Sequence, residues 1–482
     1  MKEIKHFIGG EYVGSKSGKT FYDINPATGE VIGQVHEGGQ FEIDAAVTAA
    51  KKVEKVWGTM PQKERSDILI KVAEGIMAHR EEFLAAEVED TGKPVSLANK
   101  IDIPRGSANF VQFAEHFKYV ATECWEMEGA INYAQRRPLG TIGVISPWNL
   151  PLLLMTWKVG PAMAAGNCVI VKPSEETPQT ASLLGQVMND AGVPKGAYNV
   201  VQGLGADSAG EFLSSHSGIN GLTFTGETTT GKAIMAKAAQ NLLPLSFELG
   251  GKNPVLIFKD ADLDQCVETT MRSSFANQGE VCLCGSRIYV QEEIFDEYVK
   301  RLTAKVKSDV VIGDPTDPKT TLGSLVSEGH RQRVMGYIES ARKDGATFHT
   351  GGKAPTNLPK GFEKGAYLEP TIITGLDETC KAQREEIFGP VVSICPFKTE
   401  EEAIALANNS DYGLSATIWT ENLKRAHRVA GEVEAGIIWV NEWFLRDLRT
   451  PFGGMKNSGI GREGGVYSLE FYTELKNICI KL

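Results

Sequence analysis

The chain reads as two doubly wound α/β domains, and three observations carry that reading. Short apolar strand-like segments alternate with helical ones from Thr141 onward, at Thr141–Ile145, Cys168–Lys172, Tyr198–Gln202, Gly221–Phe224 and Pro254–Phe258. That alternation is the pattern of a parallel sheet with crossover helices. The same style resumes in the second half, with strands near Arg287–Val290 and Gly436–Val440. At 482 residues, with 42% hydrophobic and 23% charged side chains, the chain can fill two or three domains with sizeable cores and has an ordinary globular composition.

In chain order, His6–Val13 opens as a strand hairpin around Gly9-Gly10. Ala46, Ala49, Ala50, Val53 and Trp57 then recur at helical spacing, and Ile68–Leu84 is read as a further helix. Asp262 with Gln265 three residues on has the spacing of a capping box. Val267, Met271 and Phe275 make a helical stripe behind it, which Asn277-Gln278-Gly279 ends. Just past that stop stands Cys282. A cysteine on such a turn is held by its backbone with the sulfur free to enter a cleft, as a nucleophile requires. The plain alternative is a small buried hydrophobe. Glu126–Arg136 and Phe471–Leu482 fit neither domain, and no repeat or low-complexity linker interrupts the chain.

The formal charge of −11 argues against nonspecific nucleic-acid binding, so an anionic substrate would need locally placed arginines. No apolar run approaches the roughly 18 residues of a membrane span. Met1–His6 has no signal-peptide core, and the eight cysteines are scattered as in a reduced, cytoplasmic protein. Cys282 and Cys284 could form half a zinc site, but no second Cys/His pair with ligand spacing follows, so no metal is expected. His216 and His330 are the nearest histidines in sequence, and a Cys–His nucleophile pair stays open.

Two glycine loops bear on nucleotides. Gly203-Leu204-Gly205-Ala206-Asp207-Ser208 follows a strand and has serine in place of the third glycine of a dinucleotide fingerprint. Gly205 is its candidate contact, against an ordinary strand-to-helix turn. Gly226-Glu227-Thr228-Thr229-Thr230-Gly231-Lys232 has the full spacing of a P-loop, but Ala233 replaces the hydroxyl that holds magnesium. The helix N-terminus here can still accept a diphosphate through its backbone N–H groups.

Three segments together resemble the signatures of the aldehyde dehydrogenase superfamily. They are Phe275–Cys282, with Asn277-x-Gly279-x-x-Cys282; Leu245–Pro254, with Glu248 before Gly250-Gly251; and Ile145–Pro151, with Trp148-Asn149 between prolines. With later segments the resemblance spans essentially the whole chain. It implies an NAD-binding domain from 1–118 and 138–250, a catalytic domain from 251–464, and an oligomerisation arm from 119–137 and 465–482 that makes a homodimer or homotetramer. It also implies oxidation of an aldehyde substrate through a cysteine thiohemiacetal and thioester. Cys282 would be the nucleophile, Asn149 and the Cys282 N–H the oxyanion donors, and Glu248 the general base. NAD would be held by Trp148, Lys172, Glu175, Gly205, Thr225, Gly226, Glu386 and Phe388. Glu175 on the ribose would disfavour NADP. Glu227 departs from the family's serine and puts a carboxylate where a diphosphate is expected. Lys158 and Glu463 match positions linked in the family to proton handling, and Arg462 and Glu474 match a structural pair.

Arg105 in Ile101–Gly106 and Arg446 in Trp443–Gly454 suit a carboxylate held by paired hydrogen bonds. The plain alternative is a solvated cluster with Asp447 as Arg446's partner. These segments and both chain ends resemble the family's muconic semialdehyde branch. The implied substrate is 2-hydroxymuconate 6-semialdehyde, with the 2-amino analogue as the alternative. A broad-specificity aldehyde dehydrogenase and an inactive binding protein on the same fold are the remaining readings. The intact Cys282, Glu248 and Asn149 weigh against the last.

Overall fold

The computed structural model describes all 482 residues. Two large sheets dominate. The first orders Gly459–Ile460, Leu245–Glu248, Gly221–Thr225, Thr141–Ile145, Cys168–Lys172, Tyr198–Val200, His6–Ile8 and Glu11–Val13. Its central five strands are parallel, and antiparallel pairs close both edges. Those five strands are buried along most of their length. Such burial on both faces is why they read as short continuous apolar runs. Thr141–Ile145 lies between Gly221–Thr225 and Cys168–Lys172, so the crossovers leave it in opposite directions. A crevice therefore opens beyond its carboxyl end.

The second sheet orders Thr347–Thr350, Thr371–Thr374, Val391–Phe397, Gly285–Gln291, Asn253–Ile257, Ser415–Trp419 and Ile437–Val440. All its pairs are parallel except the first. The segment read as Pro254–Phe258 forms one residue earlier and belongs to this sheet. Leu249–Lys252 runs straight from the carboxyl end of a first-sheet strand to the amino end of a second-sheet strand. The cleft is thus walled by strand carboxyl ends on one side and strand amino ends on the other. Gly250 and Gly251 make the crossing possible: a Cβ on Gly250 would sit 2.1 Å from Glu386 Oε2, and one on Gly251 2.8 Å from the Cys282 carbonyl.

Several elements differ from the sequence reading. Ile68–Leu84 is two helices, Gln62–Ala78 and Arg80–Thr91, broken at His79, whose carbonyl accepts the Phe83 N–H at 3.1 Å. Thr20–Asn25 and Glu30–His36, absent from the sequence reading, pair with each other and with Lys2–Ile4 in a small sheet. Their burial alternates, but Asp23 and Gly33 occupy inner positions while Tyr22, Ile24 and Val31 are exposed, so the hydropathy does not follow it. Gly459–Ile460 lies within the 251–464 stretch yet pairs with the first sheet. Cys124–Met127, Ala130–Pro138 and Thr473–Lys481 form a separate three-stranded antiparallel sheet. Arg462 donates to the carbonyls of Gly454 and Gly461, and forms no ion pair with Glu474 within the chain.

Candidate active site

The turn that carries Cys282 is built from unusual backbone. Asp262 caps Leu263–Phe275 by accepting the Asp264 and Gln265 N–H groups, at 3.1 Å each. The helix ends in three successive left-handed residues, Asn277, Gln278 and Gly279, at φ 50°, 58° and 72°. Non-glycine residues adopt this conformation at a cost, and buried examples concentrate at functional sites. Gly279 is sterically required, since a Cβ there would fall 2.3 Å from the Gly389 carbonyl. Asn253 Nδ2 then ties down the Cys282 and Cys284 carbonyls at 2.7 and 2.9 Å. The Cys282 sulfur and N–H make no hydrogen bond within the chain, and Cys282 lines the cleft. Burial pushes its thiol up, and the neighbouring Glu248 and Glu386 carboxylates reinforce the shift.

Asn149 enters from the opposite wall, on the loop after Thr141–Ile145. Its Nδ2 donates at 2.8 Å to the carbonyl of Glu280, two residues before Cys282. An amide nitrogen has two hydrogens, so one remains for a ligand. Glu248 ends its strand behind the cleft lining. It is 4% exposed, and both carboxylate oxygens lack a partner. A Cβ on Gly453 would lie 3.0 Å from its Oε1. The salt bridge that would have made Glu248 merely structural does not form. Burial holds its pKa well above the usual carboxylate value, with Glu463 adding to the shift. Glu463, by contrast, is fully engaged: Lys158 Nζ and Trp157 Nε1 each donate to it at 2.7 Å, and Ser246 Oγ at 3.2 Å.

The cleft continues away from Cys282 as two connected chambers of about 340 and 540 Å³. The nearer is walled by Trp148, Thr225, Gly226, Glu386 and Phe388. The farther reaches Lys172, Glu175 and Gly205. Every one of these first-sheet residues ends a parallel strand or follows its end. Lys172 Nζ meets Glu175 Oε2 at 3.0 Å; burial alone would raise the Glu175 pKa, but Lys172 and a backbone N–H together outweigh it and the net shift is downward. Thr228–Ala238 opens between them with no side-chain cap on its first N–H groups, and Gly205 leaves open space around its Cα. Such a surface fits a long ligand with hydroxyls at its ends and an anion at the middle. Lys232 points to solvent, unlike a P-loop lysine.

Across the cleft, Glu386 Oε1 accepts the Gly251 N–H at 2.8 Å, and burial lifts its carboxyl to about 7. Phe388 stands at φ 57° with its ring edge-on to Trp148 at 5.2 Å. Its carbonyl accepts from His330 Nε2 at 2.6 Å. That bond, and no hydrogen bond to Cys282, makes His330 part of the wall rather than a nucleophile's base. His216 pairs with Asp44. Glu227 faces both chambers and is paired at 2.9 Å with Arg333 from Glu328–Lys343. Neither Arg333 nor His330 had a sequence signal for these roles, because each acts through a partner distant in the chain.

Arg446 is near Glu248 and Cys282, and Arg105, from Ile103–His116, is near Arg446; neither lines the two chambers. Asp447 pairs with Arg449 at 2.6 Å, so the solvated cluster does not include Arg446. Arg446 lies over the Trp157 and Phe452 rings, 4.3 and 3.8 Å from their centroids. Its buried Nε and Nη2 lack acceptors, as does Arg105 Nε. Burial lowers Arg446 to about 9; nearby Arg105 adds to this and the Glu248 charge opposes it. Burial lowers Arg105 as well.

A cysteine turn, an amide and an unpaired carboxylate thus meet at one end of a long cleft. The Aldehyde dehydrogenase family profile matches residues 12–478, and the chain belongs to that family. It is 62% identical over 488 residues, covering all of both chains, to a 2-hydroxymuconic semialdehyde dehydrogenase of Pseudomonas sp. (strain CF600). It is 49% identical to a 2-aminomuconic 6-semialdehyde dehydrogenase of Pseudomonas sp., covering 100% of this chain and 99% of the other. Its fold matches the NAD+ complex of an aldehyde dehydrogenase from Bacillus cereus with a TM-score of 0.96 and 38% identity, covering 100% and 97% of the two chains.

Proposed function

We propose that this enzyme oxidises a carboxylate-bearing muconic semialdehyde, 2-hydroxymuconate 6-semialdehyde first, to the dicarboxylic acid with NAD, in the breakdown of aromatic rings. The observation that carries the substrate is a pair of half-buried arginines whose buried nitrogens have no protein acceptor, with Arg446 close enough to Cys282 to influence its thiol. An unpaired buried cation is costly, and a substrate carboxylate would supply the missing acceptors. The 62% relative named for the 2-hydroxy compound, against 49% for the 2-amino one, ranks the two.

Each residue then has a task. Cys282 gives up its thiol proton to water as its sulfur adds to the aldehyde carbon. The resulting oxyanion takes the free N–H of Asn149 and the Cys282 N–H. NAD, when bound, supplies the hydride acceptor. Glu248 takes a proton from the water that hydrolyses the Cys282 thioester. Trp148, Thr225, Gly226 and Gly205 would line the cofactor, Lys172 and Glu175 hold one ribose, and Glu386 and Phe388 the other. The 1–118 and 138–250 stretches serve as the cofactor unit and 251–464 as the catalytic unit.

The arm sheet exposes Trp125, Met127, Leu475 and Ile480 along its two outer strands. Unpaired edges of this kind favour a partner strand, which supports 119–137 and 465–482 as an assembly arm of a dimer or tetramer. Sedimentation of the intact protein as a monomer would refute that assembly. No helix is long and apolar enough to cross a membrane, and we place the enzyme in the cytoplasm.

The test is nicotinamide absorbance after mixing protein, NAD and fresh 2-hydroxymuconate semialdehyde, with Cys282→Ala alongside. Reduction by the wild type only is expected. Reduction with a neutral aldehyde but not with the semialdehyde would refute the substrate.

A further inference from the structure

Asn149 sits where regular structure cannot hold it. It lies between Pro147 and Pro151, and the helix Pro151–Ala164 begins only after it. Its backbone must be fixed by side chains, and a buried ionic cluster does so. Lys93 is fully enclosed. Its Nζ donates to Asp102 Oδ2 at 2.8 Å, to the Asn149 carbonyl at 2.9 Å and to Glu87 Oε1 at 3.3 Å. These three bonds use every hydrogen of the ammonium. Glu87 Oε2 faces the Leu152 N–H at 3.4 Å, so the cluster touches both sides of the Asn149 loop. On the Cys282 side, Asn277 Nδ2 donates to the same Asn149 carbonyl at 3.1 Å. Asp102 ends the π-helical turn Ala98–Asp102, and the next helix carries Arg105.

We infer that Lys93, braced by Glu87 and Asp102, is a positioning residue for the Asn149 amide, and that it links this amide to the helix bearing Arg105. It touches neither substrate nor cofactor. Burial alone would lower the Lys93 pKa, but the two carboxylates outweigh it and the net shift is upward, so the ammonium keeps the charge the arrangement needs. A neutral side chain would release the Asn149 carbonyl from this wall and leave Asn277 as its only anchor. The inference rests on Asn149 as an oxyanion donor.

The experiment is a double-mutant cycle of Lys93→Met and Asn149→Ala, reading kcat and NAD affinity on whichever aldehyde the wild type oxidises. Loss of an oxyanion donor costs on the order of a hundredfold or more in kcat. Lys93→Met alone is expected to lose roughly tenfold or more of kcat with NAD affinity unchanged, and in the Asn149→Ala background less than about twofold, because groups acting through one another are not additive. Equal losses in both backgrounds, or an unchanged kcat, would overturn the inference. Lys93→Met leaves two buried carboxylates without their cation, which destabilises. The Lys93→Met/Glu87→Gln/Asp102→Asn variant removes all three charges and decides the matter if the single variant does not fold. Full activity in Asn149→Ala alone would sink the oxyanion assignment instead, and a neutral aldehyde keeps the cycle readable if only the semialdehyde is wrong.

Discussion

The two ends of the cleft treat charge in opposite ways. At the proposed cofactor end the charged groups have protein partners: Lys172 with Glu175, Glu227 with Arg333, Glu386 with the Gly251 N–H. At the Cys282 end, buried Glu248 and half-buried Arg105 and Arg446 each have a buried polar atom without a partner. Paired charges can be modest structural features, whereas an unpaired buried charge is destabilising until something binds or a proton moves. The contrast separates the two ends: the proposed cofactor end is pre-assembled for a ligand that brings its own hydrogen bonds, and the groups proposed for the chemistry lack protein partners.

The largest break in that contrast is at Glu248. Glu248→Gln removes a base, so the fall in kcat should be about 10²–10⁴-fold, with a thioester accumulating on Cys282 that mass spectrometry detects. Because the carboxylate has no partner, the same variant should melt no lower than the wild type. A large loss of thermal stability would show that Glu248 has a structural bond after all.

Next comes the arginine pair. Truncating one side of a buried charge pair costs about 2–5 kcal/mol, so Arg446→Ala or Arg105→Ala should lower kcat/KM for the acidic semialdehyde by roughly 30- to several-thousand-fold. Activity on a neutral aldehyde should fall far less. Equal losses on both substrates would assign the arginines to scaffolding.

Acid sensitivity sharpens the comparison further. Glu248 is a base only when ionised, and burial raises its pKa above the ordinary 4.5. The protonated form therefore persists to higher pH than in an exposed carboxylate, and kcat should rise with pH through that raised value. Burial raises the Cys282 thiol too, in the same direction. Pre-steady-state hydride transfer and steady-state hydrolysis, measured across pH, separate the two, and a flat hydrolysis profile would remove Glu248 as the base.

The smallest effect is expected at the paired end. Arg333→Ala leaves the Glu227 carboxylate unneutralised beside the proposed diphosphate site. Both side chains are nearly half exposed, so the loss in NAD affinity should be only a few-fold, within the roughly 0–1 kcal/mol of a surface pair. Glu227→Ser added to Arg333→Ala should restore binding, as calorimetry would measure. An affinity insensitive to Arg333 would mean that Glu227 turns away without help.

Much of the scaffold was legible because its signals are local. Thr141–Ile145 and Cys168–Lys172 form with the bounds read from sequence, since a short apolar run between turn residues needs no distant information to declare a buried strand. The Asp262 cap and the Asn277-Gln278-Gly279 stop were also readable. Thr20–His36 was not, because its inner positions hold Asp23 and Gly33 while Tyr22, Ile24 and Val31 face outward. Nor was the break at His79, since the apolar stripe continues through it.

The sequence by itself determined the family, the strand ends that carry Trp148, Asn149, Lys172 and Gly226, and the turn that presents Cys282. These follow from periodicity and motif spacing within short windows; the strand that ends at Glu248 came only with the structure. Only the tertiary structure decided which charges are paired. Asp447 takes Arg449 and leaves Arg446 to Trp157 and Phe452. Arg333 reaches Glu227 across the cleft, and Lys93 finds the Asn149 carbonyl. The reason is physical: a side chain's burial and its partner are set by long-range packing, and the same arginine is a solvated surface charge or a cation without a protein acceptor according to what the fold places beside it.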